Sequence, residues 1–539
     1  MSVKPMAAWR AVLFNTILLT ICLMLIPAVG LAKVQASSGF EKKDLVTTRD
    51  FIEHAEATQT DIHDLFFSLR PYEGTKSCLM CHESEGIEML NSGHFKWEGY
   101  SDRIVGLEGQ SHGKNDLINN FCVAVPTNEP RCTQCHAGYG YKDASFDFTN
   151  PENVDCLVCH DQSGTYMKNP TTAGLPDPSV DLEVVARSIT MGVEPTRKAC
   201  IGCHAKAGGG DNVKHGDLST DLIATTREYD VHMGVDGGNM KCTACHGANH
   251  DPVTGEVNHG IAGMSLHSVN EGEMKQCGDC HGSVDRIHAG TSIEPMLAEG
   301  WHDNLACQVC HIPAIARKIS TKVEWYWSDA GQNVDPIPVD PATGRPTYDK
   351  KKGTFVWKNN VRPTLRYANG TWNRPVIGAT DKYSAIPIDL GSPVGDYTDS
   401  MIYPFKLMIG DQPVDPITKT ILVPHLFGKG SGPNPYWGLF DWTLAIEDGA
   451  AYTGQDFSGT HSFEPTTMLL SVNHEIAPKE MALGMESNCG DCHASGQIDW
   501  QALGWSLDPL DGGTRKVSAP AQNASVTWAP PLKLPRGLD

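Results

Sequence analysis

A mainly α-helical chain with a large irregular content, built around bound cofactors and carrying a small β-containing elaboration, is predicted by three observations. Eight copies of Cys-x-x-Cys-His recur along the 539 residues, starting at Cys78, Cys132, Cys156, Cys200, Cys242, Cys277, Cys307 and Cys489. Seven of them crowd into residues 78–311, where Gly-rich connections such as Ala207-Gly208-Gly209-Gly210 cannot supply a conventional apolar core. A Trp-, Tyr-, Pro- and Gly-rich stretch without any copy separates the seventh from the eighth. The net charge of −21 argues against nucleic acid or an anionic membrane surface as partner.

Cys-x-x-Cys-His is the attachment signature of c-type haem. On a helical turn, residues at i and i+3 share a face, so both sulfurs reach the haem vinyl groups and the following His points at the iron. Zinc also uses Cys pairs and His, but here the His follows the second Cys directly in all eight copies. Eight covalently bound c-type haems are expected, at sites 1 to 8. Each site uses a Cys pair: Cys78 and Cys81, Cys132 and Cys135, Cys156 and Cys159, Cys200 and Cys203, Cys242 and Cys245, Cys277 and Cys280, Cys307 and Cys310, Cys489 and Cys492. The proximal ligands are His82, His136, His160, His204, His246, His281, His311 and His493. Sixteen of the 18 cysteines are consumed; only Cys22 and Cys122 remain, which excludes a disulfide framework. Just 19 residues separate His136 from Cys156, so neighbouring haems must stack within electron-transfer contact.

Residues 1–32 read as a secretory signal, with Lys4 and Arg10 ahead of an apolar run that Pro27 breaks, and small residues Gly30 and Ala32 before the cut. Cleavage after Ala32 removes Cys22; Ala36 is a second possible site. An uncleaved anchor is the competing reading, although a spanning helix usually needs about 20 apolar residues. Haem attachment takes place outside the bacterial cytoplasm, so a periplasmic protein with no membrane attachment after cleavage is expected. Residues 37–77 are a helical lead-in, from the spacing of Phe51, Ala55, Leu65, Phe66 and Leu69. Residues 78–320 form a seven-haem domain. Residues 321–465 form a haem-free irregular elaboration with short strands at Thr354-Phe355-Val356-Trp357 and Thr364-Leu365-Arg366-Tyr367, and a turn at Asn369-Gly370. Residues 466–539 hold a helix over Thr466 to Met485, the eighth haem and an extended tail.

Fourteen histidines remain beyond the proximal eight. A haem with two His ligands is six-coordinate and carries electrons; an enzyme needs an iron with a different or exchangeable ligand.

The segments Asn128-Glu129-Pro130-Arg131-Cys132, Cys135-His136-Ala137-Gly138-Tyr139-Gly140-Tyr141-Lys142-Asp143, Asp155-Cys156-Leu157-Val158-Cys159-His160-Asp161, Val213-Lys214-His215-Gly216-Asp217-Leu218 and Cys307-Gln308-Val309-Cys310-His311-Ile312-Pro313 resemble the octahaem tetrathionate reductase family of c-type cytochromes. The resemblance covers roughly 78–325 and the C-terminal haem. It implies that Lys142 is the sixth ligand of the haem at site 2, against the bland reading of an exposed lysine. It implies His215, His232, His259, His288, His302 and His474 as distal ligands; His94 is our seventh, with His112, His250 and His267 as the alternatives to that choice. Cys122, ten residues before Cys132, is a candidate contact for a sulfur substrate or else an inert buried thiol. Tyr139 and Asp143 flank Lys142 and are candidates for proton exchange or for ordinary structural roles.

Two readings of function follow. One is a periplasmic reductase whose bis-His haems pass electrons to site 2, where a small oxyanion is reduced: tetrathionate by the resemblance, nitrite or hydroxylamine as alternatives. A redox partner protein or quinol-linked cytochrome would be the donor. The other is an electron-transfer conduit without substrate. Oxidation at a Tyr-linked haem ranks below both.

Overall fold

Thr47 opens the first helix, α1 (Thr48–Thr58), through a capping box in which its hydroxyl accepts from the Asp50 amide while the Asp50 carboxylate accepts from the Thr47 amide at 2.7 Å. Asp61 caps α2 (Ile62–Leu69). Phe51 of α1 and Phe66 and Phe67 of α2 are buried against Leu157, Tyr166 and Val185, so the lead-in is clamped onto site 3. The computed structural model describes residues 47–250, 257–261, 274–298, 302, 304–494 and 496–515. The signal segment with Cys22, the start of the lead-in, His267 and most of the tail lie outside the described residues, as does the side chain of His250.

The seven-site region consists of short helices and turns. The attachment motifs sit on single turns such as Leu157–His160, Cys277–His281, Cys307–His311 and Gly490–His493, and on the longer Arg197–His204. Helices this short are not stable on propensity alone. Their stability comes from what they pack on, such as the apolar clusters around Leu157 and around Ile201.

The motif-free region is more regular than the irregular elaboration predicted. Eight strands form one mixed sheet: β1 (Thr321–Tyr326), β2 (Tyr348–Asp349), β3 (Gly353–Lys358), β4 (Thr364–Ala368), β5 (Ile388–Asp389), β6 (Met401–Asp415), β7 (Thr420–Ile421) and β8 (Ser462–Ser471). The order is β5-β8-β6-β1-β3-β2, and β4 and β7 also pair with β6. The pairs β5–β8 and β6–β1 are parallel. The expected strands around Phe355 and Leu365 are β3 and β4. The expected helix over Thr466–Met485 is absent: its first part is β8, paired with β6 in the register Met408↔Met468, and its second is loop with short 3-10 turns. Thr466-Thr467 is β-branched, and two flanking strands fill both edges of β8, so pairing overrides the apolar run's helical leaning. Helix α3 (Trp442–Thr453) packs near the sheet.

The sheet's core holds Trp325, Trp327, Phe355, Met408, Met468 and Leu470 together with Ile118, Phe121 and Val123 of the haem half. Each fully buried side chain of this size contributes about 1.5–3 kcal/mol. Polar bonds reinforce the join. Trp327 donates its indole N–H to the Phe121 carbonyl at 2.8 Å. Asn120, fully buried, donates to the Met408 carbonyl at 3.0 Å. The Asn128 side-chain oxygen accepts from the Leu426 and Phe427 amides at 2.8 and 3.1 Å. The leader into site 2, residues 118–131, is thus built into the sheet domain.

Candidate haem array and catalytic site

With a metal–imidazole bond of about 2 Å on each side, an iron between two facing imidazoles separates the ring centres by about 6 Å. Six motif histidines have such a partner: His82 with His63 (6.1 Å), His204 with His94 (6.1 Å), His160 with His259 (6.5 Å), His246 with His474 (6.1 Å), His281 with His232 (5.9 Å) and His311 with His288 (6.3 Å). The donor sets therefore fit bis-His haems at sites 1, 3, 4, 5, 6 and 7. A ligand imidazole must be neutral, and burial holds His160 at about 4 and His204 at about 3.

Two expected distal ligands, His215 and His302, face no motif imidazole among the described residues. His215 lies by Lys214, Asp217, His204 and His474. The place opposite His82 belongs to His63, which sequence reasoning missed. The signal was there: His63 stands three and four residues before Phe66 and Phe67, the buried face of α2. His302 donates from Nδ1 to the Met296 carbonyl (3.3 Å) on a segment docked on the loop before site 8, where the Ser487 hydroxyl donates to the Ser292 carbonyl at 2.8 Å. His493 is stacked on Trp500 with ring centres 4.9 Å apart.

Carboxylates orient several ligands from behind. Nδ1 of His82 lies 3.4 Å from Glu85, that of His259 3.1 Å from Glu88, that of His474 3.1 Å from Asp217, and that of His493 2.7 Å from Asp508. Such a contact leaves Nε2 free for the iron. At His474 burial lowers the pKa, but Asp217 outweighs it and the net shift is upward.

Site 2 is different. His136 is 1 % exposed and faces no second imidazole among the described residues. Phe95, Trp97, Tyr141 and Phe146 surround its ring at 5.1–5.3 Å. One ring nitrogen, Nδ1, is buried without a hydrogen-bond partner, while Nε2 meets the Phe95 carbonyl at 2.5 Å. The donor set fits a haem iron, and to ligate it Nε2 must leave that carbonyl. Burial lowers the His136 pKa to about 3, and Lys168 and Lys114 push in the same direction. Lys168 donates to the His136 carbonyl and, at 3.0 Å, to that of Gly138, while pairing with Asp155 at 3.0 Å. Lys114 sits 4.6 Å above the Trp97 ring.

The other predicted residues are placed as follows. Lys142 is exposed and directly follows Tyr141, whose carbonyl accepts from Thr133 at 2.8 Å. Asp143 closes a local turn on Ser145. Tyr139 shares a hydroxyl–hydroxyl bond of 3.2 Å with Tyr72. Cys122 packs on the sheet core within electrostatic range of Cys132; burial raises its pKa, against Lys352, Lys322 and Arg131. A thiol kept protonated is a poor nucleophile.

Glu129 was quoted only as part of a motif, yet it is 2 % exposed beside this site. Its Oε1 accepts from the Tyr452 hydroxyl at 2.8 Å, that hydroxyl accepts from the Ala144 amide at 2.8 Å, and Oε2 has no partner. Burial raises its pKa from 4.5 to about 6. The folded state therefore binds this proton more tightly than the unfolded chain. The stabilisation is complete below pH 4.5 and is lost as the pH rises through about 6; it amounts to about 2 kcal/mol. Thermal unfolding of wild type and Glu129→Gln from pH 4.5 to 7 should show the wild type losing ground over that window, with the variant flat.

The attachment sulfurs give the order of the sites. Cys78 meets Cys156, Cys135 meets Cys203, Cys200 meets Cys242, and Cys277 meets Cys307. Cys159 lies in range of Cys200 and Cys203, Cys245 of Cys280, and Cys310 of Cys492. The sites run 1-3-4-5-6-7-8, and site 2 branches from site 4.

Residues 77–161 match the family described as cytochrome c554 and c-prime, and residues 322–496 the family described as bacterial cytochrome c. A protein from Archaeoglobus fulgidus is 26% identical over 292 residues, which are 45% of this chain and 93% of that protein. The crystal structure of octahaem cytochrome c from Shewanella oneidensis superposes with a TM-score of 0.71 at 37% identity, covering 84% of this chain and 99% of that one. Among the described residues no helix is long and apolar enough to cross a membrane. With its attachment motifs, its facing imidazoles and a relative matched over nearly its whole length, the chain is a multihaem c-type cytochrome of the octahaem tetrathionate reductase family.

Proposed function

We propose that this is a periplasmic octahaem reductase in which bis-His haems pass electrons to site 2, where a small oxyanion such as tetrathionate is reduced. The observation that carries the reading is at His136: its ring faces aromatic side chains instead of a second imidazole, at the end of a side branch from site 4. A branch end suits a terminus for electrons better than a relay. Lys168, Lys114 and Lys206 lie around His136 and Cys135, a local excess of cations in a chain of net charge −21, which favours an anion there.

Cys132, Cys135 and His136 would hold the haem, which when bound would supply electrons one at a time. Tetrathionate takes two, breaks its central S–S bond and leaves as two thiosulfates, without consuming a proton. Lys142 is assigned as sixth ligand on the family resemblance. The chain's own residues hold the site: Thr133 and Lys168 fix the backbone on either side of His136, and the aromatic ring cluster excludes water. The donor is a redox partner protein or quinol-linked cytochrome.

Turnover driven by reduced methyl viologen tests this with tetrathionate, nitrite and hydroxylamine in separate arms. Tetrathionate turnover is expected, abolished in Lys142→Ala together with one ferric resonance signal unlike the rest. Turnover of nitrite or hydroxylamine alone would move the assignment to nitrogen substrates. No turnover in any arm would leave the conduit reading.

A further inference from the structure

We infer that the array is electrostatically graded, with site 2 as its highest-potential member, and that Lys168 is the positioning residue that makes it so. The grading rests on what stands behind each ligand. A carboxylate on Nδ1 makes the imidazole a stronger donor and favours the ferric iron, lowering the potential. Sites 1, 3, 5 and 8 carry one, through Glu85, Glu88, Asp217 and Asp508 at 2.7–3.4 Å. At site 7 the partner of His288 is neutral, the Val284 carbonyl at 2.8 Å.

Site 2 has the opposite surroundings. No carboxylate stands behind His136 Nδ1, and the charged group touching its residue is the ammonium of Lys168. The Lys168 side chain is 4% exposed and its counter-ion Asp155 0%, so water screens neither. Lys168 holds the carbonyls of both His136 and Gly138, which places the positive end of the pair on the site-2 loop. The Asp155 carboxylate also serves the other loop: it accepts from the Tyr166 hydroxyl and, at 3.2 Å, from the Val158 amide inside the site-3 motif, while its own amide donates to the Ala137 carbonyl at 2.9 Å. One buried ion pair therefore bridges two haem loops with its cation on site 2 and its anion on site 3. It favours the reduced state at the first and the oxidised state at the second.

The consequence is directional. Electrons entering at carboxylate-backed sites 1 or 8 run through site 4 toward site 2. The inference deepens the proposed function without depending on the substrate, because the order of potentials can be read with none present.

Potentiometric titration of the intact holoprotein, followed by visible and electron paramagnetic resonance spectra, tests it. The component reduced first should shift to lower potential in Lys168→Met and to higher potential in Asp155→Asn, with Lys168→Arg unchanged. In Asp508→Asn a low-potential component should rise while the first-reduced one stays. A merely structural role for the pair would move that component the same way in both neutralising variants. That result, or a first-reduced component indifferent to both, overturns the grading. Should Lys168→Met fail to load haem, Asp155→Asn and Lys168→Arg still decide the sign. Viologen-driven turnover on the same samples separates failure of the grading from failure of the reductase reading.

Discussion

Glu475→Ala destabilises the protein by about 3–5 kcal/mol, the cost of stripping one partner from a buried ion pair. Glu475 is fully buried and accepts from the Tyr229 hydroxyl at 2.5 Å, the Ala316 amide at 3.1 Å and Arg317 through both its amide (3.3 Å) and Nε (3.4 Å). Burial pushes its pKa up, with Arg317 and Tyr229 opposing. Truncation leaves a guanidinium whose side chain is 5% exposed without its carboxylate. The damage reaches a haem, because the next residue back is His474, the partner of His246. Denaturant unfolding should show the loss. The visible and resonance spectra should show site 5 altered before global unfolding. Glu475→Gln keeps shape and hydrogen bonds and should cost clearly less; equal costs for the two variants would refute the account.

Gly449→Ala is the second large effect, and its sign is set by two opposed magnitudes. In a helix interior Ala is favoured over Gly by about 1 kcal/mol. Gly449 lies in α3, however, where an added Cβ would stand 1.7 Å from the Val423 carbonyl oxygen. Overpacking of this kind costs about 1–3 kcal/mol and occasionally more, and here the obstacle is backbone. We expect net destabilisation, with α3 displaced. Tyr452, near the end of α3, then loses its bond to Glu129; that bond opposes the upward shift, so the pH dependence described for Glu129 should strengthen in the same variant. A more stable Gly449→Ala would show that α3 rides loosely on Val423.

Much of the site was legible because haem attachment is local chemistry. Five consecutive residues specify both sulfurs and one ligand, so the sites and proximal histidines needed no fold. Distal ligands come from remote segments: His474 reaches His246 across more than 200 residues, and only the tertiary fold brings them together. His63 escaped although its helix was foreseen, because the family pattern was followed in place of the helix's own buried face. The sheet was foreseen only as scattered strands. Its two-residue members β2, β5 and β7 carry no periodic signal, and β8 reads as an apolar run whose state depends on its neighbours. Glu129 and Lys168 were invisible as functional residues, since burial and an unmatched charge are properties of packing.

The junction of Asn128 with the Leu426 and Phe427 amides also bears on biogenesis. These groups lie almost 300 residues apart along the chain, and closure over such a span is slow compared with local helix formation. During export the site-2 motif emerges long before the strands that will wall it in. It is therefore open to the enzymes that attach haem while the sheet is still unfolded, and it is sealed only when the final third of the polypeptide has arrived. Covalent loading at Cys132 and Cys135 must precede that closure. A chain that folds its sheet early would be trapped as a seven-haem product, with the loss confined to the one site where catalysis is proposed.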